Sequence, residues 1–79
     1  MRKAGDRVKI RSKEWIDEQN KDELDTFMAG KVAMVEPMFQ YAGREATITH
    51  VDDYVLILDI DDGVWLWSEE MLEPEVNNG

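Results

Sequence analysis

The chain has 79 residues, no cysteine and a formal net charge of −9. That length holds one domain with a modest core, and the lack of cysteine removes disulfides, thiolate metal sites and cysteine nucleophiles. No apolar run approaches membrane-spanning length, and the basic start Met1-Arg2-Lys3-Ala4 leads into no apolar stretch, so neither a signal peptide nor membrane contact is expected and a cytoplasmic location is.

Gly5-Asp6 introduces Arg7-Val8-Lys9-Ile10-Arg11, a first strand with Val8 and Ile10 inward and three cations outward. Residues 1–13 carry +5 and residues 14–79 carry −14. A field of that overall sign repels phosphate backbones and favours basic partners. Arg7, Lys9 and Arg11 are nevertheless the candidate nucleic-acid contact; the plainer reading is a solvated face balanced by Glu73 and Glu75 on a paired terminal strand.

Ser12 can cap a short helical turn carrying Trp15 and Ile16. Asn20 can cap a second, with Glu23 as its capping-box partner. Leu24, Phe27 and Met28 follow at helical spacing, and Gly30 ends the segment. The excursion is rich in acids, but these lack the Asp-x-Asp-x-Asp-Gly spacing of a calcium loop, so no metal site is expected. Residues 31–35 read as a short second strand, with either Val32 and Met34 or Ala33 and Val35 inward. Pro37 ends it, because proline cannot donate to a ladder. Met38, Phe39 and Tyr41 form an apolar cluster at the core edge, or part of a partner groove.

Residues 45–51 alternate, with Ala46, Ile48 and His50 on one face. Asp52-Asp53 marks a turn, and residues 54–60 resume the pattern with Leu56, Leu58 and Ile60 together. Asp61-Asp62-Gly63 supplies the next turn, and residues 64–67 return. A two-residue loop pairs Leu58 with Trp67 and puts Trp65 and Trp67 in the core. A three-residue loop pairs Leu58 with Leu66 and leaves both indoles outside beside Ile57, an exposed aromatic plate. Ser68 then caps one helical turn through Leu72. Pro74 stops it, residues 75–76 form at most a short strand, and residues 77–79 fray.

No catalytic constellation emerges. His50 is the only histidine, Ser12 and Ser68 are explained as caps, and no glycine-rich phosphate loop is present. The expectation is a non-enzyme without cofactor or metal.

The strand count, long first loop and late helical turn describe a mainly β fold, an SH3-like barrel of about five strands spanning residues 1–76. The opening G-D-x-V-x-I resembles the start of many small SH3-like proteins. Ala42-Gly43-Arg44-Glu45-Ala46-Thr47-Ile48, then Leu58-Asp59-Ile60-Asp61-Asp62-Gly63, Trp65-Leu66-Trp67 and Met71-Leu72-Glu73-Pro74 are similar to the progression of Mib/HERC2-type domains. Residues 43–51 more loosely resemble KOW-type barrels. The order S-K-E-W, A-T-I-T, L-D-I-D, W-x-W also resembles a group of small bacterial and phage proteins. The Mib/HERC2-type resemblance implies a protein- or peptide-binding module; the acidic charge favours a basic partner, and an unpaired barrel edge is compatible with a monomer or a weak dimer. KOW-type barrels imply RNA, against which the charge argues. The partner-binding candidates are Trp15, Phe39, Tyr41, Ile57, Trp65 and Trp67. The rival readings are a nucleic-acid module using the basic first strand and an acidic mimic that binds a basic protein.

Overall fold

A computed structural model describes residues 2–22 and 25–74. The fold is mainly β: strands β1 (Arg7–Lys9), β2 (Thr26–Ala29), β3 (Val32–Val35), β4 (Glu45–Asp52) and β5 (Val55–Leu58) form two antiparallel sheets. Their orders are β1-β4-β5 and β2-β3, and neither closes on itself. One helix, α1 (Lys13–Gln19), and two 3₁₀ turns, Glu36–Tyr41 and Glu69–Met71, complete the described elements. No helix among the described residues is long and apolar enough to cross a membrane.

β1 alternates as its residues dictate, with Val8 buried between exposed Arg7 and Lys9. Past the strand, Ile10 is fully buried and bridges Leu72. α1 starts where Ser12 holds an extended backbone and its Oγ accepts from the Trp15 amide at 3.2 Å. That cap satisfies one of the amides a helix start leaves orphaned. Ile16 is buried and anchors the helix to the core.

Among the described residues no second helix follows. Asn20 is instead the C-cap of α1, with its amide donating to Ile16 O at 2.9 Å. Phe27 and Met28 lie in β2, which pairs with β3 from Thr26↔Val35 to Ala29↔Val32. Gly30 and Lys31 make the two-residue turn, with Gly30 at φ +71°. Three apolar residues at i, i+3 and i+4 fit a helix, but Phe27 and Ala29 also alternate with Met28. Beside the β-branched Val32 and Val35 and a glycine turn, the two-residue period wins. Of the two faces offered for β3, that of Met34 is the inward one; Ala33 is exposed.

β4 carries a bulge. Ile48 pairs with Leu58 but His50 pairs with Ile57, so Thr49 is left over and its hydroxyl donates to Ile57 O at 3.3 Å. The extra residue inverts the faces beyond it. Ala46 and Ile48 are buried as expected, whereas His50 is turned out and Val51 pairs with the buried Leu56. Asp53 and Tyr54, rather than Asp52 and Asp53, make the turn, with Asp53 at φ +34°.

Neither expected hairpin register is adopted. Trp67 pairs with Leu56, two residues further back than Leu58, through Leu56 N→Trp67 O at 2.7 Å and Trp67 N→Leu56 O at 3.0 Å. The added length is coiled around Asp61, whose carboxylate accepts from the Gly63 amide (3.1 Å), the Trp65 amide (3.0 Å) and the Trp67 indole Nε1 (3.1 Å). Asp62 and Gly63 hold the positive φ that their residue types suggest. Side-chain capture of three donors outcompetes a tight hairpin, and residues 64–66 form no strand.

Trp67 is fully buried with Val8, Ile10, Ile16, Met34, Met38, Ile48, Leu58, Met71 and Leu72 in one core. Ser68 is the N-cap residue of the last 3₁₀ turn, as expected, but its side chain makes no capping hydrogen bond; its hydroxyl instead donates to the Ala29 carbonyl at 2.6 Å and ties the β2–β3 tip to that turn. Residues 75–79, including the expected short strand and frayed tail, lie outside the described residues, as do Glu23 and Leu24.

Candidate functional site

The sequence-derived site residues fall in three places. Trp15 and Phe39 come together through Phe27, with ring centroids 6.0 Å apart at each step. Arg11 covers the outer face of Trp15 at 5.2 Å. All three rings are half-buried against the core. Tyr41 belongs elsewhere, edge-on to Trp67 at 6.0 Å. Trp65 is half-buried against the core, Ile57 is half-buried beside Gly63, and Trp67 is fully buried, so no exposed plate of Ile57, Trp65 and Trp67 is formed. Val64 and Leu66 are the exposed members of that segment.

The basic first strand is substantially engaged. Arg7 Nε lies 4.0 Å from Glu45 Oε1, and its guanidinium donates to Thr47 Oγ1 at 3.0 Å. Arg11 lies 3.6 Å from Glu73 and donates to Glu70 O at 3.3 Å. Lys9 is exposed and pairs across the strands with Glu45. The expected balance by Glu73 therefore holds for Arg11; Glu75 lies outside the described residues.

A groove of about 470 Å³ opens where three turns meet. The β2–β3 turn supplies Gly30 and Lys31, the end of the β4–β5 hairpin supplies Val51, Asp53 and Tyr54, and the last 3₁₀ turn supplies Glu69 and Glu70. The buried Leu56 lines its base. Val51 reaches this side because of the β4 bulge; without it the exposed His50 would take its phase. Tyr54 is 61% exposed, high for an aromatic residue on a small protein. Lys31 Nζ stands 3.8 Å from the Tyr54 ring centroid, so the two hairpin tips touch through a cation and a ring.

The rear of the groove is tied down. Arg2 Nε donates to Glu69 Oε1 at 2.8 Å, and its guanidinium also donates to Glu73 O. The Glu70 carboxylate packs against Gly30, where a Cβ would overlap it. A side chain at position 30 would thus conflict both with Glu70 and with the positive φ. Sequence reasoning missed this site because it placed Tyr54 at the start of a strand. The signal present was an aromatic residue beside Asp52-Asp53, where turn residues are usually polar.

Comparison of the chain with family models, curated proteins and solved structures finds no match.

Proposed function

We propose that the chain is an SH3-like barrel that binds a protein or peptide segment, without chemistry of its own, in the groove between the β2–β3 turn, the β4–β5 turn and the last 3₁₀ turn. The barrel reading is supported by residues 67–72, which touch both edges of the three-stranded sheet. Trp67 bridges Leu56 of β5, and Leu72 bridges Ile10 beyond β1. Strand order then runs β1, β4, β5, Trp67 and, past the 3₁₀ turn, back to the β1 segment, the path a small closed barrel requires.

The observation that carries the binding reading is the open apolar surface of Val51 and Tyr54 over the buried Leu56, bordered by carboxylates and cations from three separate turns. Surfaces of this kind supply apolar contact with a few fixed polar groups to set orientation. Turn-borne residues on a rigid sheet are a common way to present such a site. The nucleic-acid reading draws less support, since Arg7 and Arg11 each already face a carboxylate.

The test is selection of a displayed random-peptide library on the folded protein, with Tyr54→Ala as counter-screen. Peptides that bind the wild type and lose about tenfold or more on Tyr54→Ala are expected. Peptides indifferent to Tyr54, or oligonucleotide binding that depends on Arg7 and Lys9 in place of peptide binding, would overturn the reading.

A further inference from the structure

The contact between Lys31 and Tyr54 is poorly explained as a stabilising device. An exposed cation over an exposed ring contributes little, and holding a long lysine in one pose costs rotamer freedom. Its place in the groove is more informative. Asp53, Glu69 and Glu70 line the walls with Arg2 and Lys31, and Asp52 is the next residue along. Arg2 is committed to Glu69 and the Glu73 carbonyl. Lys31 is therefore the cation set among the Tyr54 ring, Asp53 and Glu70.

We infer that Lys31 is a built-in stand-in for the ligand, and that the occupant of the groove is a basic, extended peptide segment whose arginine takes the Tyr54 ring from it. This rests on the reading of the groove as a peptide site and names what that site recognises. Charge complementarity carries the choice: the chain as a whole holds −9, and the groove is lined by the three acids Asp53, Glu69 and Glu70 against the two bases Arg2 and Lys31. Arginine is favoured over lysine because its planar guanidinium stacks on a ring while still donating to flanking carboxylates. The apolar neighbours of that arginine lie along Val51 and Leu56. Once displaced, the long, exposed Lys31 side chain returns to water. The ring is available to a partner only for the fraction of time that Lys31 leaves it, so the lysine lowers apparent affinity and sets a threshold against weakly cationic segments.

The probe is a blocked pentapeptide, Leu-Ala-Arg-Ala-Leu, with a citrulline copy that keeps the shape and loses the charge. Each is titrated into ¹⁵N-labelled wild type, Lys31→Ala, Lys21→Ala and Tyr54→Leu, all exposed positions whose spectra report folding directly. Lys31→Ala is predicted to bind the arginine peptide about fivefold tighter than wild type. Lys21→Ala removes the same charge from the exposed turn after α1 and is predicted to leave affinity unchanged. Tyr54→Leu and the citrulline peptide should each lose about tenfold. Unchanged or weaker binding by Lys31→Ala, or an equal gain in Lys21→Ala, overturns the stand-in; if Tyr54→Leu still abolishes binding, the groove itself survives. No binding by wild type and Lys31→Ala alike, or binding indifferent to Tyr54, defeats the inference and the groove together.

Discussion

Asp61 and Ser68 are the polar residues that the core encloses among those described. Asp61 organises a stretch of backbone without regular secondary structure, and Ser68 joins the end of β2 to the last 3₁₀ turn. Asp61 accepts two amides and the indole of Trp67. Removing it leaves the buried indole Nε1 of Trp67 without its acceptor and frees two part-buried amides that water satisfies only in part, so the indole carries most of the cost. Asp61→Ala is predicted to lower stability by about 2–4 kcal/mol in urea denaturation, with Asp61→Asn in between. A loss under about 0.5 kcal/mol would show that the turn repacks or rehydrates. Ser68 offers a sharper contrast. As a helix cap it would tolerate aspartate well. As the donor to Ala29 O at 2.6 Å it would not, because a buried carboxylate would face a carbonyl. Ser68→Asp is expected to cost about 2–3 kcal/mol in the same assay, and a neutral outcome would restore the capping role.

At the scale of elements, the β2–β3 hairpin has an electrostatic flaw at its base. Glu36 N donates to Asp25 O at 2.7 Å, extending the ladder one step beyond Thr26↔Val35 and bringing two carboxylates together. A separate side-chain hydrogen bond with Asp25, and then the Asp25 charge, hold the Glu36 carboxyl above the usual glutamate range. A pKa raised by folding means that the folded state binds the proton more tightly. The resulting stabilisation is present below the unfolded value and is lost as pH rises through the folded one. At neutral pH like charges remain opposed across the strands. Asp25→Asn is therefore predicted to raise Tm at neutral pH and to bring no gain at acid pH near the ordinary glutamate value. An equal change at both pH values would remove the carboxylate pair as the cause.

The same elements show what could be read without coordinates. β1, the Ser12 cap, the first part of β4 and the inward face of β5 follow from residue chemistry within a few positions, and all were legible. The β2 strand was not, because a few apolar residues fit both periods until the pairing with Val32 and Val35 decides between them. The bulge at Thr49 leaves no compositional mark, yet it turns His50 out and sends Val51 to the groove. The Asp61 turn was misread for the opposite reason. Asp-Asp-Gly fits a tight hairpin so well that capture by the side chain two residues before Gly63 escaped notice.

For the molecule as a whole, the sequence carried the mainly β architecture, but it left open whether Trp67 is buried and did not show the place where the turns converge. Convergence is a long-range property: Lys31 and Tyr54 are distant in sequence and meet only because β2–β3 is tied to the last 3₁₀ turn through Ser68. An aromatic search of the sequence selects the partly buried Trp15–Phe27–Phe39 cluster, which is better explained as packing. In the proposed reading the acidic surface selects a basic partner, since long-range fields act before contact, and the groove is where it docks. The measurement that tests this most directly is a ¹H–¹⁵N chemical-shift map with the strongest library-selected peptide. The account predicts the largest changes at Gly30, Lys31, Val51, Tyr54, Glu69 and Glu70. Changes centred on Arg7, Lys9 and Thr47, or around Trp15 and Phe39, would contradict it.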